Sequence, residues 1–520
     1  MMSGSTQSHT PGRVDSDAAV FARNAYTLTP SRGPNTHINA LPPELLIIIF
    51  KIVFKKYRYA DGFPWHLGGL GIQETPYRSR WDRADMLSPT LFPFSIASVC
   101  RYWQCLMSSV PIFWTRLVIL VDSRHTPLSL VKSYLEWSKD LPIDVFVTRR
   151  RTDQDENDTR EKARVDAVMQ HLLHHLHRLR SLRFNVMRRS SLPSLIAHFQ
   201  GAAPKLRRLN LECKLDDRIG TGADTMAEWN FSTPVLQELS LDGRNFCDVY
   251  VSNPGWFHQL QLRRFTLSRY KPLSAYEAIS LYSVLDALAA VRSIDSLTIK
   301  DMEFDQNAPR RRDIELYLNS ITLEDLGGDV VSEIFHAVDT GAESTTIKRC
   351  SLASFQYVSG YHLSLEDIDA EWDLTGVLRE WSGRELYLYN CPGFNDGILA
   401  AMRDGGRDDI GFMCADLRNV ALYNCNFSPA ALKAMVEARW RVSKAEVEWN
   451  SITDTDVEDF ETVAPIADIS VHGGGPLSPE EEQWFIDHTG LFDWYEDPVE
   501  KRPNDADDPD IYGKYDDYDS

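Results

Sequence analysis

The sequence predicts an α/β chain in which a small helical module precedes a solenoid of strand-plus-helix repeats, the strands forming a parallel sheet on the concave face. Three observations carry that expectation. A short apolar strand pattern recurs about every 26 residues, helices with proper start signals fall between its copies, and residues 38–117 are helical, aromatic and outside the repeat.

Each copy reads apolar, two variable, apolar, one variable, apolar, as in Leu417, Val420, Leu422 and in Leu318, Ile321, Leu323. The third apolar position falls at 184, 211, 241, 267, 299, 323, 347, 365, 388, 422, 447 and 471. This is the spacing of leucine-rich repeats, whose units run to about 20–29 residues. Two steps are irregular: 18 residues to Leu365 and 34 to Leu422. One strand and one helix cannot bury their apolar faces alone, so neighbouring units must stack, each adding a strand to one parallel sheet. Ser428 and Pro429 open a helix over Ala430 to Ala438; Asn395 and Asp396 open another over Gly397 to Met402. Ser478 with Glu481 is a capping box for a last one.

In the N-terminal module, Pro42 and Pro43 mark a helix start, because only the first turn tolerates the missing N–H. Nine of the ten residues from Leu45 to Phe54 are apolar, too many for one buried stripe. Lys51 and Lys55 interrupt the run, which is shorter than the ~20 apolar residues a bilayer span needs, so the missing cover is expected from protein. Ile96, Val99, Cys100, Trp103 and Leu106 then share one face of a second helix, and Pro111, Phe113 and Trp114 close the module.

These residues resemble an F-box, the helical unit that docks on the Skp-type adaptor of Skp–cullin–F-box (SCF) ubiquitin ligases. The match lies in Leu41, Pro42, Glu44, Leu45, Leu46, Ile49 and Phe50, then Val99, Cys100, Arg101, Trp103, Pro111, Phe113 and Trp114. The closing Ser98–Trp103 stretch is similar to versions common in mushroom-forming fungi, and Cys391–Asp396 to the cysteine-containing repeats often joined to F-boxes. The resemblance implies that Leu41, Pro42, Leu45, Leu46, Ile49, Phe50, Val99 and Trp103 hold the adaptor and, through it, the cullin. It also implies a non-catalytic receptor, cytoplasmic or nuclear, whose repeats bind a target protein. The chain departs from the family pattern at 55–93, a long insertion of the kind that is functional or disordered.

The predicted organisation is therefore a disordered segment at 1–37, the F-box-like module at 38–117, atypical first repeats at 118–178, the array at 179–490 and an acidic disordered tail at 491–520. The net charge of −20 argues against duplex nucleic acid as partner, since phosphate binding relies on Lys and Arg. No secretory or membrane-anchoring pattern is expected in the first 37 residues. The eight cysteines include no Cys-x-x-Cys pair, so buried reduced thiols are expected, with no metal or other cofactor. His171, His174, His175 and His177 lack the third ligand motif a zinc site would need. Hydrolase, kinase and dinucleotide-binding signatures are absent.

Side chains alternate across a strand, so the residues between apolar markers should line the sheet's open face. Arg207, Arg208, Arg263 and Arg264 would form its basic end, with Arg180 and Arg183. Tyr387, Tyr389 and Tyr423, with Glu446 and Glu448, would form an aromatic-acidic end. The arginines could grip an acidic or phosphorylated target segment, or merely balance neighbouring acids. A repeat scaffold unconnected with ubiquitination is the alternative to a ligase receptor.

Overall fold

The computed structural model describes residues 38–58, 92–150, 156, 158–217, 229–272, 278–291, 293–305, 314–339, 341–352, 358–372, 374–404, 412–452 and 463–497. The 1–37 segment, most of the 55–93 insertion and the chain after 497 lie outside that set. The dominant element is one parallel sheet of 14 strands joined in sequence order. Its strands are β1 Arg116–Leu120, β2 Ile143–Thr148, β3 Leu179–Arg188, β4 Arg208–Leu215, β5 Glu238–Asp242, β6 Arg264–Tyr270 and β7 Ser296–Met302. Then follow β8 Ser320–Glu324, β9 Ser344–Lys348, β10 His362–Glu366, β11 Glu385–Tyr389, β12 Asn419–Tyr423, β13 Asp468–His472 and β14 Leu491–Tyr495.

From β4 to β14 the strands pair without a slip, so equivalent residues of successive repeats sit side by side. Two apolar rows result. One runs Leu209, Leu239, Phe265, Leu297, Ile321, and the other Leu211, Leu241, Leu267, Ile299, Leu323; all ten are buried. Each such side chain contributes about 1.5–3 kcal/mol, and only stacking on both sides completes the burial. Eleven of the twelve marker residues fall on the second row, including Leu365 and Leu422 at the irregular steps. Val447 does not: it belongs to the helix Pro429–Ile452, together with Glu446 and Glu448. The expected tail boundary at 491 is also wrong, because Phe492 and Trp494 extend the two inward rows as β14.

Each repeat from β6 to β13 turns at one fixed point, five residues after its strand begins. There Arg269, Asp301, Asp325, Arg349, Asp367, Asn390, Asn424 and Gly473 all adopt positive φ, between 47° and 73°. Asn and Asp tolerate this left-handed conformation better than most residues, and glycine pays no steric cost. The polar side chains also bond along the row. Asn424 donates to Asn390 at 2.8 Å, Asn390 donates to Asp367 at 2.8 Å, and Arg349 donates to Asp325 at 2.7 Å. The arginines, poorly suited to this conformation, are held by such pairs, Arg269 to Asp301 at 2.6 Å being the other.

Buried polar groups lock the helices to the strands. Arg439, wholly buried in the helix Pro429–Ile452, donates to the carbonyls of Cys414 and Ala415 at 2.8 Å and of Met413 at 3.2 Å. Burial pulls its pKa down to about 10, still far above neutrality. Ser478 and Glu481 form the expected capping box, at 3.2 and 3.0 Å. Arg149, just after β2, and Glu161, the first residue of the helix Glu161–Leu172, form a buried ion pair of 3.1 Å. Of the eight free cysteines, Cys213, Cys350, Cys391 and Cys414 are buried as expected, but Cys105 is exposed. Burial pushes the thiols of Cys350 and Cys391 up to about 11, leaving them protonated at neutral pH.

Two substitutions test this account by urea unfolding. Asn390→Ala should cost about 2 kcal/mol, from left-handed strain and two lost hydrogen bonds, and Asn390→Gly about half as much. Equal losses would remove strain from the explanation. Arg439→Met, of similar volume, should cost about 2–4 kcal/mol because it leaves buried carbonyls unpaired.

Candidate protein-docking surfaces

Helix α1 spans Pro43–Arg58 and helix α2 spans Arg101–Ser108. Aromatic packing joins them: Phe50 lies 4.9 Å from Trp103, centroid to centroid, and Phe54 lies 5.3 Å from Phe92 and 5.5 Å from Phe113. The Trp103 indole N–H donates to Asn39 at 2.8 Å, tying the short turn before α1 to α2. The module does not stand apart from the repeats. Trp114 stacks on Tyr134 at 4.9 Å and meets Trp137 at 4.5 Å, both from the helix Leu128–Trp137 that follows β1.

This packing divides the residues expected to hold an adaptor. Leu46, Phe50 and Trp103 are buried and form the module's own core, which corrects their assignment to a docking surface. Leu41 is half-buried. Pro42, Leu45, Ile49 and Val99 face outward, Leu45 at 46%, Ile49 at 37% and Val99 at 58% exposure. The sequence reading missed Ile48 and Ile52, exposed by 51% and 61%. Leu45, Ile48, Ile49 and Ile52 stand at i, i+3, i+4 and i+7, so they form a second apolar stripe opposite the inward Leu46 and Phe50. Four large aliphatic groups left on one helical face are a candidate docking surface, since scattered single residues, not stripes, are the ordinary exposure.

The second surface is the open face of the sheet. Its central row is small and polar across β4–β10: Asn210, Ser240, Thr266, Thr298, Thr322, Thr346 and Ser364. Longer charged residues flank it and neutralise one another, with Lys300 to Glu324 at 2.9 Å and Lys348 to Glu366 at 3.2 Å.

The four arginines expected to grip an acidic target are not brought together. Arg208 and Arg264 share a row, but Glu238 stands between them in register and pairs with Arg264 at 3.1 Å. Arg207 and Arg263 precede their strands by one residue, on the opposite alternation. Arg180 is bonded to the buried Asp144, and Arg183 lies over the Phe146 ring at 5.2 Å. At this end the arginines balance acids and cover apolar surface.

The tyrosines are brought together. Tyr389 and Tyr423 are 5.8 Å apart, Tyr423 stacks on His472 at 4.8 Å, and His472 stacks on Tyr495 at 4.4 Å, a row of four rings across β11–β14. Tyr387 donates to Glu385 at 2.8 Å, and Glu385 also meets His362 at 2.7 Å and Asn419 at 3.2 Å. Burial pushes the Glu385 carboxyl up, but the hydrogen bonds from His362 and Tyr387 outweigh it and hold the group below its ordinary value. His472, Tyr495 and Glu385 were missed. Their signal was strand position: His472 and Tyr495 fall in the row of Tyr389 and Tyr423, and Glu385 in the row of His362 and Asn419.

No family model matches this chain, and no curated protein matches it. Among the described residues, no cluster of His, Cys, Asp and Glu could hold a metal ion, and no helix is long and apolar enough to cross a membrane.

The inward and outward sides of α1 can be separated by unfolding measurements. Phe50→Ala should cost about 3–5 kcal/mol and Ile48→Ala within about 0.5 kcal/mol. A large loss from Ile48→Ala would place it in the core.

Proposed function

We propose that this chain is the substrate-recognition subunit of an SCF-type ubiquitin ligase, with α1 docking a Skp-type adaptor and the open face of the sheet binding the target protein. The observation that carries the proposal is the aliphatic stripe of Leu45, Ile48, Ile49 and Ile52, held outward by a helix whose other side is fixed in the core. A monomer gains nothing from such exposure, whereas a partner groove recovers its burial energy. The F-box resemblance of the same segment gives that partner its identity. The receptor contributes proximity and no bond chemistry: it holds a target lysine near a thioester carried elsewhere in the complex.

The test uses the full chain, because the helical module shares its aromatic core with the first repeats. It should form a stable complex with a Skp-type adaptor by calorimetry or size exclusion. Ile48→Glu with Ile52→Glu should abolish the complex while leaving the thermal midpoint within a few degrees, and Tyr423→Ala should leave adaptor binding unchanged. A folded chain that ignores the adaptor at micromolar concentration would instead be a binding scaffold outside the ligase.

A further inference from the structure

We infer that the open face of β10–β14 docks a basic, arginine- or lysine-bearing segment of a partner protein, the reverse of the acidic target that the arginine-rich first half suggested. The inference rests on the reading of the sheet as a target-binding face and names the chemistry of that target. Charge is segregated along the sheet. Strands β10–β14 contain no lysine or arginine, but carry Glu385, Asp468 and Asp493, besides Glu366, which Lys348 of β9 already neutralises, and Glu496 and Asp497 follow directly. Arg384 and Arg418 come one residue before β11 and β12, at the same end as Glu385 and Asp468 but on the opposite alternation, and Arg384 already lies over Tyr361 at 5.4 Å.

The rings add a second, geometric argument. Tyr423, His472 and Tyr495 stack with interplanar angles of 12° and 19°, so they stand edge-on to solvent and present polar tips, not open faces. The inner faces are occupied, so ring-face contact is left to the end of the row at Tyr495. Phenol oxygens and nearby carboxylates are hydrogen-bond acceptors, and acceptors in a row suit the donor-rich ends of arginine and lysine. Tyr495, on the last strand and 52% exposed, is the end of the ring row, flanked by Asp493, Glu496 and Asp497. A cation there gains ring and carboxylate attraction together.

A cleft of about 560 Å³ continues the same character at the turns after β8–β10. Trp372 forms part of its wall, and Asp367, Asp369 and Glu371 line it with Arg349, which is already bonded to Asp325. It adjoins the ring row through Asn390, which donates to Asp367 and is the next residue after Tyr389. A bound chain could therefore place one long cationic side chain in the cleft and others over Asp468 and Asp493.

The experiment measures binding of three fluorescein-labelled peptides to the full chain by anisotropy: an arginine–serine peptide, its glutamate–serine counterpart and a phosphoserine version. The arginine–serine peptide should bind, and Asp468→Asn with Asp493→Asn should weaken it about tenfold. Glu480→Gln with Glu482→Gln, two exposed residues of the helix Pro479–His488, is the control for the overall negative charge and should change nothing. An equal loss in the control overturns the site, since net charge alone would then explain binding. If only the glutamate or phosphoserine peptide binds, and Tyr389→Ala or Tyr423→Ala weakens it, the sheet remains a target face but the basic class falls. If no peptide responds to any of these variants, the target-face reading falls as well.

Discussion

Register is the constraint on which the rest of this molecule depends. Parallel strands paired without a slip across eleven consecutive repeats convert a one-dimensional pattern into rows, and each row then has a single physical character. Inward rows are apolar because both neighbours must be apolar for either to be dry. The turning row is polar and left-handed because the backbone bends at the same height in each repeat from β6 to β13, and side chains there bond to one another along the row. A shift of one residue would invert every row at once, which is why such a ladder tolerates helices and connections of different lengths between identical strands.

Those row rules explain what could be read from sequence and what could not. The strand positions were legible because Leu, Ile and Val at fixed intervals are a local signal, and even the 18- and 34-residue steps hold their place in the ladder. Val447 imitated the pattern from within a helix, where i, i+3 spacing also recurs, and only the length of Pro429–Ile452 decides between the two. β14 was hidden by composition: Leu491–Tyr495 borders a run of acids, and averaging over that run concealed its alternation. Polar contacts were the least legible. Alternation put Arg208 and Arg264 on the open face correctly, but Glu238 between them is visible only once the strands are aligned.

The helical module shows the same limit in another form. Nine apolar residues in ten told of two buried faces without telling which was which. Phe50 and Leu46 are inside because aromatic partners meet them there, supplied by Trp103 and by the Phe92 and Phe113 that surround Phe54. The side left over is defined by subtraction. Motif resemblance marks the segment as a whole, whereas burial assigns each residue to the fold or to a partner.

Rigidity connects the two surfaces. In a receptor that works by proximity, the target must be held at a fixed offset from the adaptor, since a floppy joint would spread the target lysine over many positions and dilute its effective concentration. Trp114, Tyr134 and Trp137 join the helical module to the first repeat by ring packing. From there the in-register ladder extends to β14, thirteen strand spacings of ~4.8 Å away, or ~60 Å measured along the sheet. Helices need roughly twice the spacing of strands, so stacking them on one side bends the sheet toward its open face.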